Sequence, residues 1–342
     1  MICGMLTPTP LMDLVTGFWS FKTFAAAVEL DLFSRLAGGR TLTVADAERE
    51  LGLPERPADL LFTACASLGL LERAGEGYRN SPLAEEFLVR GRPYYFGGQV
   101  SYCDRRTYLP WHRVGEALRD DRPLTWDPAT QESMFTTEDP QLLATFWEAM
   151  YSTSIFTARA LGESVELGPY TRLLDVGGGS GAYPIELCGR FPGLSATVLD
   201  LPHVCEMATG KIAAAGLSDR IATTPGNFLT DAALPGGHDV LLLSMILHDW
   251  DEATNRELLA KAYAALPAGG LVIISELLLD ADRTGPAPAA LMGMNMLVET
   301  VGGRNYSDVE YADWLGAAGF TDVRTVRFDA PGANGAVLGR KP

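Results

Sequence analysis

Two short stretches of this 342-residue chain concentrate residues able to do chemistry. They are the glycine-rich run from Asp175 to Gly181 and the run from Leu247 to Asp251, which contains His248. In the first, three consecutive glycines lack Cβ atoms, so the backbone can turn tightly and approach a ligand closely. Gly177, Gly179 and Ala182 also satisfy the dinucleotide fingerprint G-x-G-x-x-A, which makes a nicotinamide dinucleotide one reading of the loop. Asp175 stands two residues before the first glycine, where its carboxylate would repel a pyrophosphate and welcome an ammonium group. Asp200, 19 residues after Gly181, ends the next predicted strand and can accept both hydroxyls of a ribose. A nucleoside joined to an amino acid satisfies both acids; a dinucleotide satisfies only the second. The structural alternative is a packing role for the glycines, with Asp175 capping the turn.

His248 follows the predicted strand Asp239–Met245, and ligands of open α/β sheets collect at the carboxyl ends of strands. An imidazole with a near-neutral pKa suits the removal of a proton from a hydroxyl of pKa near 10. A helix-start or core histidine is the structural alternative. The other three histidines have weaker cases: His112 lies in Pro110-Trp-His-Arg, and His203 and His238 read as surface turn residues. His248, Asp249 and Glu276 form a loose facial triad on paper. No second histidine is suitably placed, and Asn295 and Asn305 are poor ligands, so no metal is expected.

The elements that must carry these residues fall into two patterns. From Arg172 onward, short apolar strands alternate with helices: Arg172–Val176, Ala196–Asp200, Ile221–Gly226, Asp239–Met245 and Leu271–Leu277, with two more near Val323–Phe328 and Ala336–Leu338. That alternation predicts an α/β fold, a Rossmann-like doubly wound sheet covered by helices on both faces. The first third is helical. A helix over Phe18–Leu36 stops at Gly38-Gly39, two short helices follow, and a hairpin spans residues 71–80 with its turn at Gly75–Gly77. Helix, helix, hairpin is a winged-helix-like pattern. A long helix, Pro140–Leu161, bridges the halves. The expected division is 1–105, helical and winged-helix-like; 106–165, a helical linker and lid over the substrate; and 166–342, the nucleotide-binding domain.

Composition narrows the function. A DNA-reading helix needs basic residues on its outer face, and the segment Asp59–Leu71 has none. With a net charge of −16 the chain repels phosphate backbones, so nucleic acid is a poor candidate partner and none is expected. No uncharged apolar run reaches about 18 residues, so no membrane span is expected. The N-terminus lacks the pattern of a secretory signal, and the expected location is cytoplasmic. Cys3, Cys65, Cys103, Cys188 and Cys205 are scattered and form no CxxC, which reads as free thiols. Phe18, Trp19, Phe21, Phe24, Ala25 and Val28 make the first helix apolar on more than one face, and such a surface wants a partner.

Leu173 to Gly181, Val198-Leu-Asp-Leu-Pro202, Gly226-Asn-Phe228 and Leu247 to Asp251 resemble, in order, the successive motifs of plant caffeate-type and bacterial small-molecule O-methyltransferases. Residues 17–33 resemble their dimerisation domain. The resemblance implies S-adenosylmethionine as methyl donor, an intertwined homodimer, and roles at matching positions. Gly177 and Gly179 would line the methionine part of the donor, together with Ser244 and Met245. Asp200 would take the ribose, Leu201 would lie beside the adenine, and Asn227 and Phe228 would meet it. Ser154 would touch the donor from the bridging helix. Asn227 stands where many relatives have Asp, and its amide oxygen can still accept from the adenine amino group. His248 would be the general base, oriented by Glu276. A second orienting acid of the family is replaced here by Asn305, which can orient a ring but cannot stabilise imidazolium by charge.

Met150, Trp147, Asp249, Met292, Met296 and Glu299 match the acceptor side. Met292 and Met296 are four apart and share one helix face, a spacing equally common in plain core. An apolar pocket of this kind suits a small aromatic, hydroxyl-bearing acceptor. The expected activity is O-methylation. Asn305 keeps a second chemistry open, C- or N-methylation of an already nucleophilic atom. Outside the class stand an NAD-dependent oxidoreductase and a catalytically silent winged-helix regulator.

Overall fold

A computed structural model of the chain describes residues 7–131 and 140–342; Cys3 lies outside the described residues. It divides into two compact units, Met1–Tyr108 and Leu109–Pro342.

In the first unit, the helix Thr9–Glu29 is followed by a short turn of helix, Leu32–Arg35. The single helix expected over Phe18–Leu36 is broken at Asp31, whose φ of 56° lies in the left-handed region. Hydrophobic periodicity does not register such a kink, because Val28, Leu32 and Phe33 on both sides of it face the same core. The helices Ala47–Leu51 and Glu55–Ser67 then lead into the antiparallel hairpin β1 (Leu71–Ala74) and β2 (Gly77–Asn80). This is the predicted hairpin, with its turn where expected. Ala25 and Val28 are buried in the core, whereas Phe18 and Trp19 are 52% and 61% exposed.

The second unit is built on a seven-stranded sheet: β3 (Arg172–Val176), β4 (Ser195–Asp200), β5 (Ile221–Pro225), β6 (Val240–Ser244), β7 (Leu271–Glu276), β8 (Thr321–Arg327) and β9 (Gly335–Arg340). Their order in space is β5-β4-β3-β6-β7-β9-β8. Every residue of β6 and of β7 is buried, which is why both read as apolar runs up to the polar residues that end them, Ser244 and Ser275-Glu276. Strands β3 to β7 are parallel; β9 runs antiparallel to both β7 and β8, so the sheet is mixed. Strand order reverses between β3 and β6, and a ligand crevice is expected at such a switch point. A core of aliphatic residues from β3, β4, β6, β7 and β9 packs against Leu258, Tyr311, Trp314 and Leu315 of the covering helices. Among the described residues no helix is long and apolar enough to cross a membrane.

Candidate active site

The glycine turn leaves the carboxyl end of β3 and enters the helix Ala182–Arg190. Gly177, Gly179 and Gly181 all have positive φ, a conformation that penalises side chains. Space is equally restrictive. A Cβ on Gly177 would stand 2.4 Å from Ile246 and 3.2 Å from the Phe228 ring; one on Gly179 would stand 2.8 Å from the Trp147 ring. The glycines are therefore needed by close neighbours as well as by the turn. Trp147 belongs to the helix Pro140–Ser164, and its ring lies against this loop.

Two carboxyl groups sit under the turn. Asp200, at the end of β4, accepts the N–H of Gly179 through Oδ2 (2.8 Å) and that of Leu201 through Oδ1 (2.7 Å). Each oxygen keeps a free lone pair for a ribose hydroxyl. Asp175 is 1% exposed, lies beneath Gly178, and its Oδ2 has no hydrogen-bond partner. Burial, with the charge of Asp200 added, pushes its pKa up to about 8. An unpaired buried carboxyl is costly on its own and favours a cation above it.

The loop after β5 closes the other side. The N–H of Asn227 donates to Asp231 Oδ2 (2.8 Å), and its own Oδ1 accepts from the N–H of Leu229 (3.0 Å). The amide oxygen expected to face an adenine thus already holds a local turn, with one lone pair remaining. Phe228 packs edge-on against Trp250, ring centroids 6.4 Å apart.

His248 lies in the short 3₁₀ turn Leu247–Asp249, between β6 and the helix Glu252–Ala265, which Asp251 caps by accepting from the N–H of Thr254. Ser244 of β6 pairs in register with Ser275 of β7, so the residues just beyond them meet. That juxtaposition brings Glu276 to the turn. Its Oε2 lies 2.6 Å from His248 Nδ1, and its Oε1 accepts the N–H groups of Ile246 and Leu247 at 3.0 Å. His248 Nε2 is 3.5 Å from Asp249 Oδ1, near enough for charge and too long for a good hydrogen bond. Burial by itself would lower the imidazole pKa, but the charges of Glu276 and Asp249 and the Glu276 hydrogen bond outweigh it and raise it to about 9. Asp249 is raised to about 6, mostly by burial; the charge of His248 opposes this and those of Glu276 and Glu299 add to it.

Asn305 is buried, but its Nδ2 donates to the carbonyl of Leu277 (2.7 Å) and its Oδ1 has no partner. No hydrogen bond joins it to His248 among the described residues; Glu276 alone holds the ring. Glu299 accepts from the Thr125 hydroxyl (3.1 Å), and its carbonyl accepts from Trp126 Nε1 (2.6 Å). Trp111 Nε1 donates to Asn295 Oδ1 (3.0 Å). Segment 111–126 therefore lies along the helix Ala287–Glu299, which also carries Met292 and Met296. Met296 is buried; Met292 packs on Leu277, Leu279 and Ala289. Met150 and Ser154 are half-buried on one face of the long helix. Met245 has φ 56°, and its sulfur lies near Gly332, whose N–H donates to the Thr157 hydroxyl of the same helix at 3.0 Å. Ser244 is buried beside the Tyr183 hydroxyl. His203 and His238, expected at surface turns, are half-buried, and His238 Nε2 bonds the Thr197 hydroxyl at 3.1 Å. Among the described residues no three His, Cys, Asp or Glu side chains are grouped to hold a metal ion.

Several contributors carry no motif. Buried Asn255 donates to the carbonyls of Leu247 (2.8 Å) and Trp250 (3.2 Å) and so fixes the His248 turn. Asn334 exchanges two hydrogen bonds with the backbone of Leu278, continuing the pairing beyond the end of β7. A polar residue on the apolar face of a helix was the available signal for Asn255; none pointed to Asn334, Thr125 or Trp126.

Residues 111–321 match the model of the O-methyltransferase domain, and residues 12–90 that of the O-methyltransferase dimerisation domain. The chain is 52% identical over 334 residues to a 3-hydroxy-5-methyl-1-naphthoate 3-O-methyltransferase of Streptomyces sahachiroi, covering 98% of this chain and 95% of that protein. It is 33% identical to the tetracenomycin polyketide synthesis 8-O-methyl transferase of Streptomyces glaucescens, covering 98% and 97%. Human N-acetylserotonin methyltransferase, solved in complex with S-adenosylmethionine, superposes with a TM-score of 0.87 at 28% identity, covering 100% of this chain and 99% of that one.

Proposed function

The chain belongs to the S-adenosylmethionine-dependent O-methyltransferase family, and on that premise we propose that it methylates a ring hydroxyl of a small hydroxylated aromatic carboxylate, with His248 as the base. The observation that carries this reading is the His248–Glu276 pair at 2.6 Å, seated at the carboxyl end of β6 beside the glycine turn. Glu276 engages Nδ1 and leaves Nε2 to meet an acceptor hydroxyl. The donor supplies an already activated methyl group, so the protein's share is positioning and proton removal.

The residues present fit that donor. Positive-φ glycines admit its backbone-close approach, the free lone pairs of Asp200 suit a ribose, and unpaired Asp175 suits an ammonium group. Leu201, Asn227 and Phe228 are assigned to the adenine. Gly177, Gly179, Ser244, Met245 and Ser154 are assigned to the methionine side, where Trp147 backs the loop. Asp249 and Glu299 make the acceptor end acidic. By charge, the acceptor presents its hydroxyl there and keeps its carboxylate at the far edge of the ring. Met150, Met292 and Met296 are assigned to the ring faces. The contacts of segment 111–126 with Asn295, Val298 and Glu299 support its role as part of a lid region over 106–165. The exposed apolar residues of the helix Thr9–Glu29 support a homodimer, and the helix–helix–hairpin order supports the winged-helix-like reading of the first unit.

The test is an assay with labelled donor on hydroxynaphthoates, phenols, catechols and keto acids. Preferred turnover of a hydroxynaphthoate, lost in His248→Ala, is the expected result. Turnover of a carbon or nitrogen acceptor, unaffected by that substitution, would sink the proposal.

A further inference from the structure

Lys261 lies on the helix Glu252–Ala265, three turns after the residue that caps it. Its ammonium donates to three backbone carbonyls of the loop after β5: Phe228 at 3.0 Å, Leu229 at 2.8 Å and Asp231 at 2.7 Å. An ammonium has three donors, and all three are used. Three carbonyl dipoles that converge on one point repel one another, and a cation at that point reverses the sign of the interaction. The loop is already compact. A Cβ on Gly226 would stand 2.8 Å from Asp231 Oδ2, and the Asn227 N–H donates to the same carboxylate.

What Lys261 holds is consequential. Phe228, whose carbonyl it binds, lies over Gly177 of the donor loop and packs edge-on against Trp250, two residues beyond His248. One ring therefore touches the donor turn and the segment carrying the base, and the Lys261 ammonium fixes the backbone from which that ring projects. We propose that Lys261 is a positioning residue for the methyl donor: a cationic clamp that sets Asn227 and Phe228 at the height the adenine requires. The proposal rests on the assignment of those two residues to the adenine.

Calorimetric titration of the full-length protein with S-adenosylhomocysteine tests it. Lys261→Met keeps the length of the side chain and removes the charge. Its Kd is expected to weaken about tenfold or more, roughly 1.4 kcal/mol. Lys261→Arg should recover only part of the loss, because a planar guanidinium cannot meet three convergent oxygens equally. A folded Lys261→Met with the wild-type Kd overturns the proposal, and so does a lowered Tm with an unchanged Kd, since that marks support of the fold alone. If the methionine variant does not fold, Lys261→Gln is read by the same criteria. Phe228→Ala separates the two ideas. If it weakens binding and Lys261→Met does not, only the clamp falls; if neither does, the adenine assignment falls and the clamp with it.

Discussion

His248 Nδ1 lies 2.6 Å from Glu276 Oε2, while the other oxygen of the same carboxylate accepts two backbone N–H groups of the turn that carries the histidine. Glu276 thus positions both the ring and its backbone. His248→Ala is expected to lower kcat by about a hundredfold or more with a hydroxyl acceptor. Glu276→Gln should fall between that variant and wild type, because a single amide oxygen cannot serve the ring and the turn together. Steady-state kinetics on both variants provide the check; equal activity of Glu276→Gln and wild type would contradict the role.

The acids around His248 shape its pH dependence. With its pKa raised to about 9, the imidazole is protonated at neutral pH in the free enzyme and must lose that proton to act as a base. The kcat/KM for acceptor should therefore rise with pH through a midpoint near 9 and level off only above it, and Asp249→Asn should move that midpoint down. Stability runs the other way. The unfolded value is about 6.5, so the contribution of charged His248 is fully present below that pH and is lost as pH rises through 9. Melting temperatures of wild type and His248→Gln between pH 6 and 10 should converge at the alkaline end.

Asp175 predicts a proton linked to donor binding. Held at about 8, it is mostly protonated at neutral pH without ligand, and an ammonium placed above it favours the ionised form. Binding of S-adenosylhomocysteine should tighten between pH 6 and 8 and release protons, visible as a buffer-dependent heat of binding. Asp175→Asn should remove that dependence; retention of it would assign the proton to another group.

Asn255 makes a prediction about the turn alone. In Asn255→Ala the Leu247 carbonyl loses its side-chain donor, while the Trp250 carbonyl keeps the Tyr306 hydroxyl at 2.8 Å. The buried site should cost about 1–3 kcal/mol of stability. It should also lower kcat more than it raises the KM for donor, measured by thermal melts and kinetics on the same preparation.

The first helix exposes Leu11, Leu14, Val15, Phe18 and Trp19, each more than half accessible. Burial of such a face against a second copy is expected from the dimerisation domain. Val15→Asp with Phe18→Glu should convert a dimer to monomers in light scattering; a dimer that survives both changes would place the interface elsewhere.

Much of the second unit was legible because its signals are local. Val240–Leu243 and Leu271–Ile274 are unbroken aliphatic runs, as strands buried on both faces require, with polar residues only at their carboxyl ends, and observed and expected limits differ by at most two residues. The antiparallel insertion of β9 between β7 and β8 was not legible: direction depends on how the chain returns, and a short apolar run carries no sign of it. Asn305 shows the same limit at one side chain. Its position in the Gly302-Gly303 segment suggested a partner for the imidazole, yet the peptide of Leu277 takes its amide.

The amino-acid sequence alone determined which chemical groups are present and in what order: a glycine turn bracketed by Asp175 and Asp200, and a histidine placed after a strand. Those follow from backbone permissiveness and strand pattern, which act over a few residues. Tertiary structure decided which groups meet. Parallel pairing of β6 with β7 brings Glu276 to a histidine 28 positions earlier, and a helix returning across the sheet sets Lys261 against a loop 30 positions earlier. A hydrogen bond needs its partners within about 3 Å, and over such separations only the packing of the sheet and its helices sets that distance.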